Sequence, residues 1–121
     1  MTLIESLALW CANPPPFSPR ARELAIDAII DTLGCMVAGR NDFSTQAVQQ
    51  AWPQITRSQA LDAMFNATAA HAIDFDDNFA PGMSHASAVL VPALLAVSHN
   101  RDGVSLIPYS LFLPQPPDHL S

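Results

Sequence analysis

Between Ser18 and Gly39 the sequence carries a start, a periodic interior and a stop for one long helix, and this stretch constrains the fold more than any other. Ser18 suits an N-cap, and Pro19 suits the first helical position, where its missing N–H would have had no partner anyway. Over 20–38 the apolar residues Leu24, Ala25, Ala28, Ile29, Leu33, Met36 and Val37 recur at helical spacing. Gly39 is the expected C-terminal stop. A helix with so broad an apolar face needs other helices packed on it. Gly34 should let one of them approach closely. Asp27 and Asp31 lie one turn apart, and Asp31 is expected to serve a neighbouring helix N-terminus or an arginine.

The remaining chain reads as further helices divided by proline. Residues 2–12 are mostly apolar and end at Asn13 and the run Pro14, Pro15, Pro16, since proline lacks the N–H and clashes with the preceding turn. Residues 43–52 form a short amphipathic helix stopped at Pro53, followed by a polar connection over 54–59. From 59 to about 77 the chain is rich in Ala, Leu and Met and is expected to be helical. Residues 78–84, with Pro81 and Gly82, form a loop. A buried helix resumes over 86–97, with Pro92 kinking it or falling in its first turns. Residues 106–121 carry Pro108, Pro114, Pro116 and Pro117 and neither helical nor alternating period. The expected fold class is all-α with an irregular proline-rich tail.

Charge narrows the function. Eleven carboxylates face five cations, all arginine, for a formal charge of −6. Nucleic acid and anionic membrane both need clustered positive charge, so neither is expected as a partner. The longest apolar run, 88–97, contains a proline and falls short of the roughly 20 residues that span a bilayer. The N-terminus has Glu5 and no basic residue before its apolar stretch, which does not fit a secretory leader. Cys11 and Cys35 are expected to be reduced core thiols, and the location cytoplasmic.

Chemistry concentrates in 66–92. His71, Asp74, Asp76, Asp77 and His85 place five ionisable groups within fifteen residues, in a chain that is elsewhere sparsely charged. Carboxylates and imidazoles held between apolar helices suit proton transfer. If the helix runs through Asp77, then His71, Asp74 and Asp77 share a face and Asp76 points elsewhere. Asp74 and His85 are the candidate catalytic pair, with His71 and Asp77 as candidate substrate-binding residues. The competing reading of Asp76 and Asp77 is that they cap the following loop in water. Metal patterns do not complete. Asp74, Asp76 and Asn78 mimic the opening of a calcium loop, but Phe79 and His85 stand where that loop needs glycine and glutamate. A magnesium–diphosphate motif would want an acid where Ala80 stands. No metal and no cofactor is therefore expected.

The run Ala69-Ala70-His71-Ala72-Ile73-Asp74-Phe75-Asp76-Asp77, then His85-Ala86-Ser87-Ala88 and Val91-Pro92-Ala93-Leu94-Leu95-Ala96, resembles the MmgE/PrpD family. Asp31-Thr32-Leu33-Gly34-Cys35 with Ala38-Gly39 resembles an earlier helix signature of that family. The family includes 2-methylcitrate dehydratase and cis-aconitate decarboxylase. The resemblance implies a large helical domain, a smaller α+β lid domain, and a site between them that works without metal. By motif position, Asp74 and His85 match residues the family places in its active site. In such a dehydratase a base removes a proton next to a carboxylate, and an acid assists departure of hydroxide.

Residues 1–105 are accordingly expected to be the N-terminal portion of the helical domain of a lyase acting on a polycarboxylate such as 2-methylcitrate. Residues 106–121 are expected to be an irregular tail out of the family's reading frame. Family members are several times longer, and their remaining catalytic His and Lys lie downstream. This chain has no lysine, so alone it is expected to be inactive. Its broad apolar faces predict a homodimer or other self-association. The rival reading is a non-catalytic helical module serving oligomer contacts.

Overall fold

The computed structural model describes residues 1–51 and 58–98, and among them the fold is all-α, as the sequence predicts. Its helices are α1 (Leu3–Ala12), α2 (Pro19–Gly39), α3 (Phe43–Ala51), α4 (Gln59–His71) and α5 (Ala86–Ser98), with a short 3-10 turn at Ala80–Gly82. The expected stop at Pro53, most of the polar connection and the proline-rich tail lie outside the described residues.

Each helix start is set by a side-chain oxygen. Thr2 and Glu5 form a reciprocal capping box at α1, and Ser18 accepts from Ala21 N with Pro19 just inside α2. Asp42 Oδ1 accepts from Ser44 N at 2.9 Å and from Ser44 Oγ at 2.7 Å, opening α3. Ser58 accepts from Leu61 N at α4. These bonds satisfy N–H groups that the first turn of a helix leaves without partners.

The core is narrow and built at one end of α2. That helix buries Thr32, Cys35, Met36 and Gly39, a single stripe in its C-terminal half. Against it α4 buries Phe65, Asn66, Ala69 and Ala70, and α5 buries Ala88, Val91, Pro92 and Ala96. Met36, Ala70 and Ala88 meet at the centre, with Leu33 and Leu95 around them. Of the predicted stripe, Met36 is buried and Leu33 packs on the core, whereas Leu24, Ile29 and Val37 are exposed; Ile26 and Ile30 are exposed as well, and α1 buries no residue.

Two glycine expectations change. Gly34 has open space beyond its Cα, so it admits no helix. Gly39 does that work instead. A Cβ there would run into the carbonyl oxygen of Ala69 and lie 3.1 Å from Ala72 Cβ, so the end of α2 lies on α4 as only glycine permits. Nor is Gly39 a left-handed stop, since the helix closes on Arg40 in the right-handed region. The Gly39 carbonyl is taken by buried Thr45 Oγ1 at 2.8 Å, which ties α3 to the end of α2. In α5, Pro92 sits buried inside the helix, which continues through it.

Candidate active site

α4 ends at His71, six residues earlier than the sequence predicts, and that early end builds the site. Asp74 N closes a turn on His71 O at 3.0 Å, and Asp74 adopts φ 52°, a left-handed conformation that aspartate tolerates better than most residues. The chain therefore leaves the helix direction, and His71, Asp74 and Asp77 do not share a helical face. Asp76, expected to point elsewhere, is turned inward and buried.

A second turn brings the other histidine back. Phe79 N donates to Ser84 O at 2.8 Å, and the Ala80–Gly82 turn with left-handed Met83 closes the loop between them. His85 then stands just before α5. Asp77 fixes that entry, because its Oδ1 accepts from Ser87 N at 3.2 Å and its Oδ2 from Ser87 Oγ at 2.7 Å. A carboxylate bonded to a first-turn N–H is also favoured by the helix dipole. Asp77 thus spends both oxygens on the helix start.

The result is a carboxylate between two imidazoles. His71 Nδ1 lies 3.0 Å from Asp76 Oδ1 and 3.2 Å from Oδ2, within hydrogen-bond distance. His85 Nδ1 lies 3.2 Å from Asp76 Oδ2, near enough for ionic attraction but off the line of a hydrogen bond, so this buried nitrogen has no hydrogen-bond partner. The two rings meet edge to face with centroids 4.7 Å apart. The Asp76 side chain is fully shielded, while 55% of the His71 side chain and 31% of that of His85 remain accessible. The rings therefore mediate between a shielded charge and the outside.

Both histidines line an open groove of about 690 Å³ between α4 and α5, with Ser44, Met64, Thr68 and Met83 among its walls. Asp74 is exposed beside the pair. One ligand-capable atom from each of His71, Asp74, Asp76 and His85 falls within 4.8 Å of the others. None of the described arginines, Arg20, Arg22 and Arg40, lines the groove.

With Nδ1 of each ring turned to Asp76, Nε2 is the atom left to meet a ligand. At His71 the carboxylate hydrogen-bonded to Nδ1 sets the tautomer and ring orientation, an arrangement used for general acid–base work. Sequence reasoning gathered His71, Asp74 and His85 but missed Asp76 as the group that joins them. The available signal was chemical: an imidazole at a helix end can take a nearby carboxylate as its hydrogen-bond partner, and Asp76 follows His71 by enough residues for one tight turn.

Cys35 lies beneath this region. Burial, then the negative charges of Asp31, Asp76 and Asp77, push its thiol above the ordinary 9.0, so it stays protonated. Asp31 is exposed on α2 and acts here as a charge. Cys35 is a buried thiol as expected, whereas Cys11 is exposed, and both are free.

Among the described residues no helix is long and apolar enough to cross a membrane. Searches of curated proteins and of solved structures found no match to the chain. The family model for the MmgE/PrpD N-terminal domain matches residues 5–106. That match spans most of the sequence and takes in the whole His71–His85 segment: the chain belongs to the MmgE/PrpD family.

Proposed function

We propose that this chain is the N-terminal part of a lyase that removes water from a polycarboxylate such as 2-methylcitrate, by acid–base chemistry that uses no metal. The observation that carries this reading is the pair of groove-lining imidazoles set on the buried Asp76. Elimination of water next to a carboxylate needs one group to take a proton from carbon and another to give one to the departing hydroxyl. Asp74 and His85 are the proposed pair, His85 acting through Nε2. His71 is proposed to contact the substrate, with Asp76 positioning both rings. Asp77, proposed from the sequence as a substrate contact, acts in this scheme by holding the α5 start beneath the groove.

A polycarboxylate needs cationic partners, and the described arginines lie elsewhere. We propose that they come from the remainder of the family fold. The test is dehydration of 2-methylcitrate and citrate by the purified chain, alone and mixed with the separately expressed later part of a family member. The expected result is no turnover alone, and turnover in the mixture that Asp74→Ala or His85→Ala abolishes. An assembled mixture that stays inert, or turnover by the isolated chain lost in Asp74→Ala, would count against this division of the site.

One observation favours a second reading. Exposed apolar faces on α1, α2 and α5 fit a non-catalytic helical module that serves oligomer contacts. Under that reading the assembly forms but Asp74→Ala changes nothing in it except local stability.

A further inference from the structure

We propose that His71, Asp74, Asp76 and His85 bind one divalent first-row transition-metal ion, zinc foremost. The linear pattern led to the expectation of no metal, because the four residues fit no linear ligand motif. They converge through the left-handed turn at Asp74 and the closed loop between Phe79 and Ser84.

Geometry supports the set. Zinc holds nitrogen and oxygen ligands at about 2.0–2.2 Å, which places neighbouring tetrahedral ligands roughly 3.4 Å apart. The Asp76 oxygens already lie 3.0 Å from His71 Nδ1 and 3.2 Å from His85 Nδ1. All four ligand atoms fall within 4.8 Å of one another, so small side-chain rotations close the set.

An independent observation points the same way. His85 Nδ1 is buried, faces a carboxylate and makes no hydrogen bond. Leaving a buried polar atom unpaired costs about 1–3 kcal/mol. A metal ion would take its lone pair. Charge balances as well: two carboxylates and two neutral imidazoles match a dication, where no described arginine lines the groove. The two imidazoles select zinc, cobalt or nickel over calcium and magnesium, which prefer oxygen alone.

Binding does not depend on the reaction proposed above; its consequence does. An ion here would occupy Asp74 and His85, the groups that reaction needs, and so would inhibit it. Zinc would then act as a brake on the site, with no part in the chemistry.

The experiment is a titration of the full chain with Co²⁺, read by visible d–d absorption, followed by displacement with Zn²⁺. One ion per chain is expected, with a band that zinc erases. His71 and Asp74 are exposed, so His71→Ala and Asp74→Asn should keep the fold, and each should weaken binding at least about tenfold. Cys11→Ser should leave the band unchanged, and Mg²⁺ or Ca²⁺ should neither displace cobalt nor raise the melting temperature. Absence of a saturable band, its survival in His71→Ala, or its loss in Cys11→Ser would overturn the proposal. Because the readout is spectroscopic, a mixture that lacks turnover sinks the reaction alone, and a missing cobalt band sinks the metal site alone.

Discussion

Asp76 carries more of this structure than its exposed neighbours, because its shielded carboxylate has His71 as its bonded partner and His85 beside it. Replacing it by alanine removes the acceptor and leaves His71 Nδ1 without its partner. Such a loss costs about 1–3 kcal/mol. Asp76→Ala should therefore lower the urea midpoint with little change in slope, while Asp74→Asn, on an exposed side chain and with a residue that also tolerates the left-handed turn, should shift it far less. Cys35 gives a pH signature. Its thiol is raised in the folded state, so the unfolded chain loses that proton first, near the ordinary 9.0. Stability linked to Cys35 is then complete below that pH and falls as pH rises through the folded value. Unfolding curves should show an alkaline decline that Cys35→Ser reduces, and a thiol reagent at neutral pH should label Cys11 quickly and Cys35 slowly. At this scale the sequence was informative about which residues gather and uninformative about how. His71, Asp74 and His85 stood out by density, but Asp76 depends on a backbone turn that no neighbouring Gly or Pro announces.

At the scale of elements, capping was legible and packing less so. Ser18 with Pro19 marks the start of α2 because that chemistry is local. The end of α4 is not marked: Ala72 and Ile73 continue a helical pattern, yet the helix gives way to the turn that Asp74 N closes on His71 O, with Asp74 left-handed. Glycine shows the same limit. Gly34 and Gly39 sit in one helix, yet a methyl at Gly34 meets nothing and one at Gly39 meets Ala69 O. Gly34→Ala should stabilise by about 0.5–1 kcal/mol, the ordinary gain of alanine in an open helical site. Gly39→Ala should destabilise by about 1–3 kcal/mol through overpacking. Opposite signs in thermal melts of the two variants are the check; equal effects would mean that α2 and α4 do not meet as described. Asp77 and Ser87 offer a second test between elements. A double-mutant cycle with Asp77→Ala and Ser87→Ala should show favourable coupling, since each single change removes the same side-chain bond.

For the molecule as a whole, the distribution of apolar surface decides behaviour. α2 shows Ile26, Ile30 and Val37 to solvent, and α5 shows Leu90, Leu94 and Val97. In each set the residues fall on one face, at intervals of four, or of seven that span two turns. Both helices also bury a stripe in the core, so they are apolar on two sides. A helix of that kind is normally enclosed, and soluble monomers rarely leave contiguous apolar areas above a few hundred Å². The helical class followed from periodicity, but the sequence alone could not show which half of the α2 stripe its own core would cover. The expected consequence is self-association. Sedimentation velocity should give a weight-average mass that rises with concentration, and a hydrophobic dye should bind until association covers the faces. Leu90→Lys with Leu94→Lys places two cations on the exposed face of α5 and leaves Ala88, Val91 and Ala96 in the core untouched. That double variant should move towards monomer while keeping its helical circular dichroism. A wild-type chain that sediments as one monomer at all concentrations and binds no dye would mean that these faces are quiet in solution, and the oligomer-contact reading would fall with them.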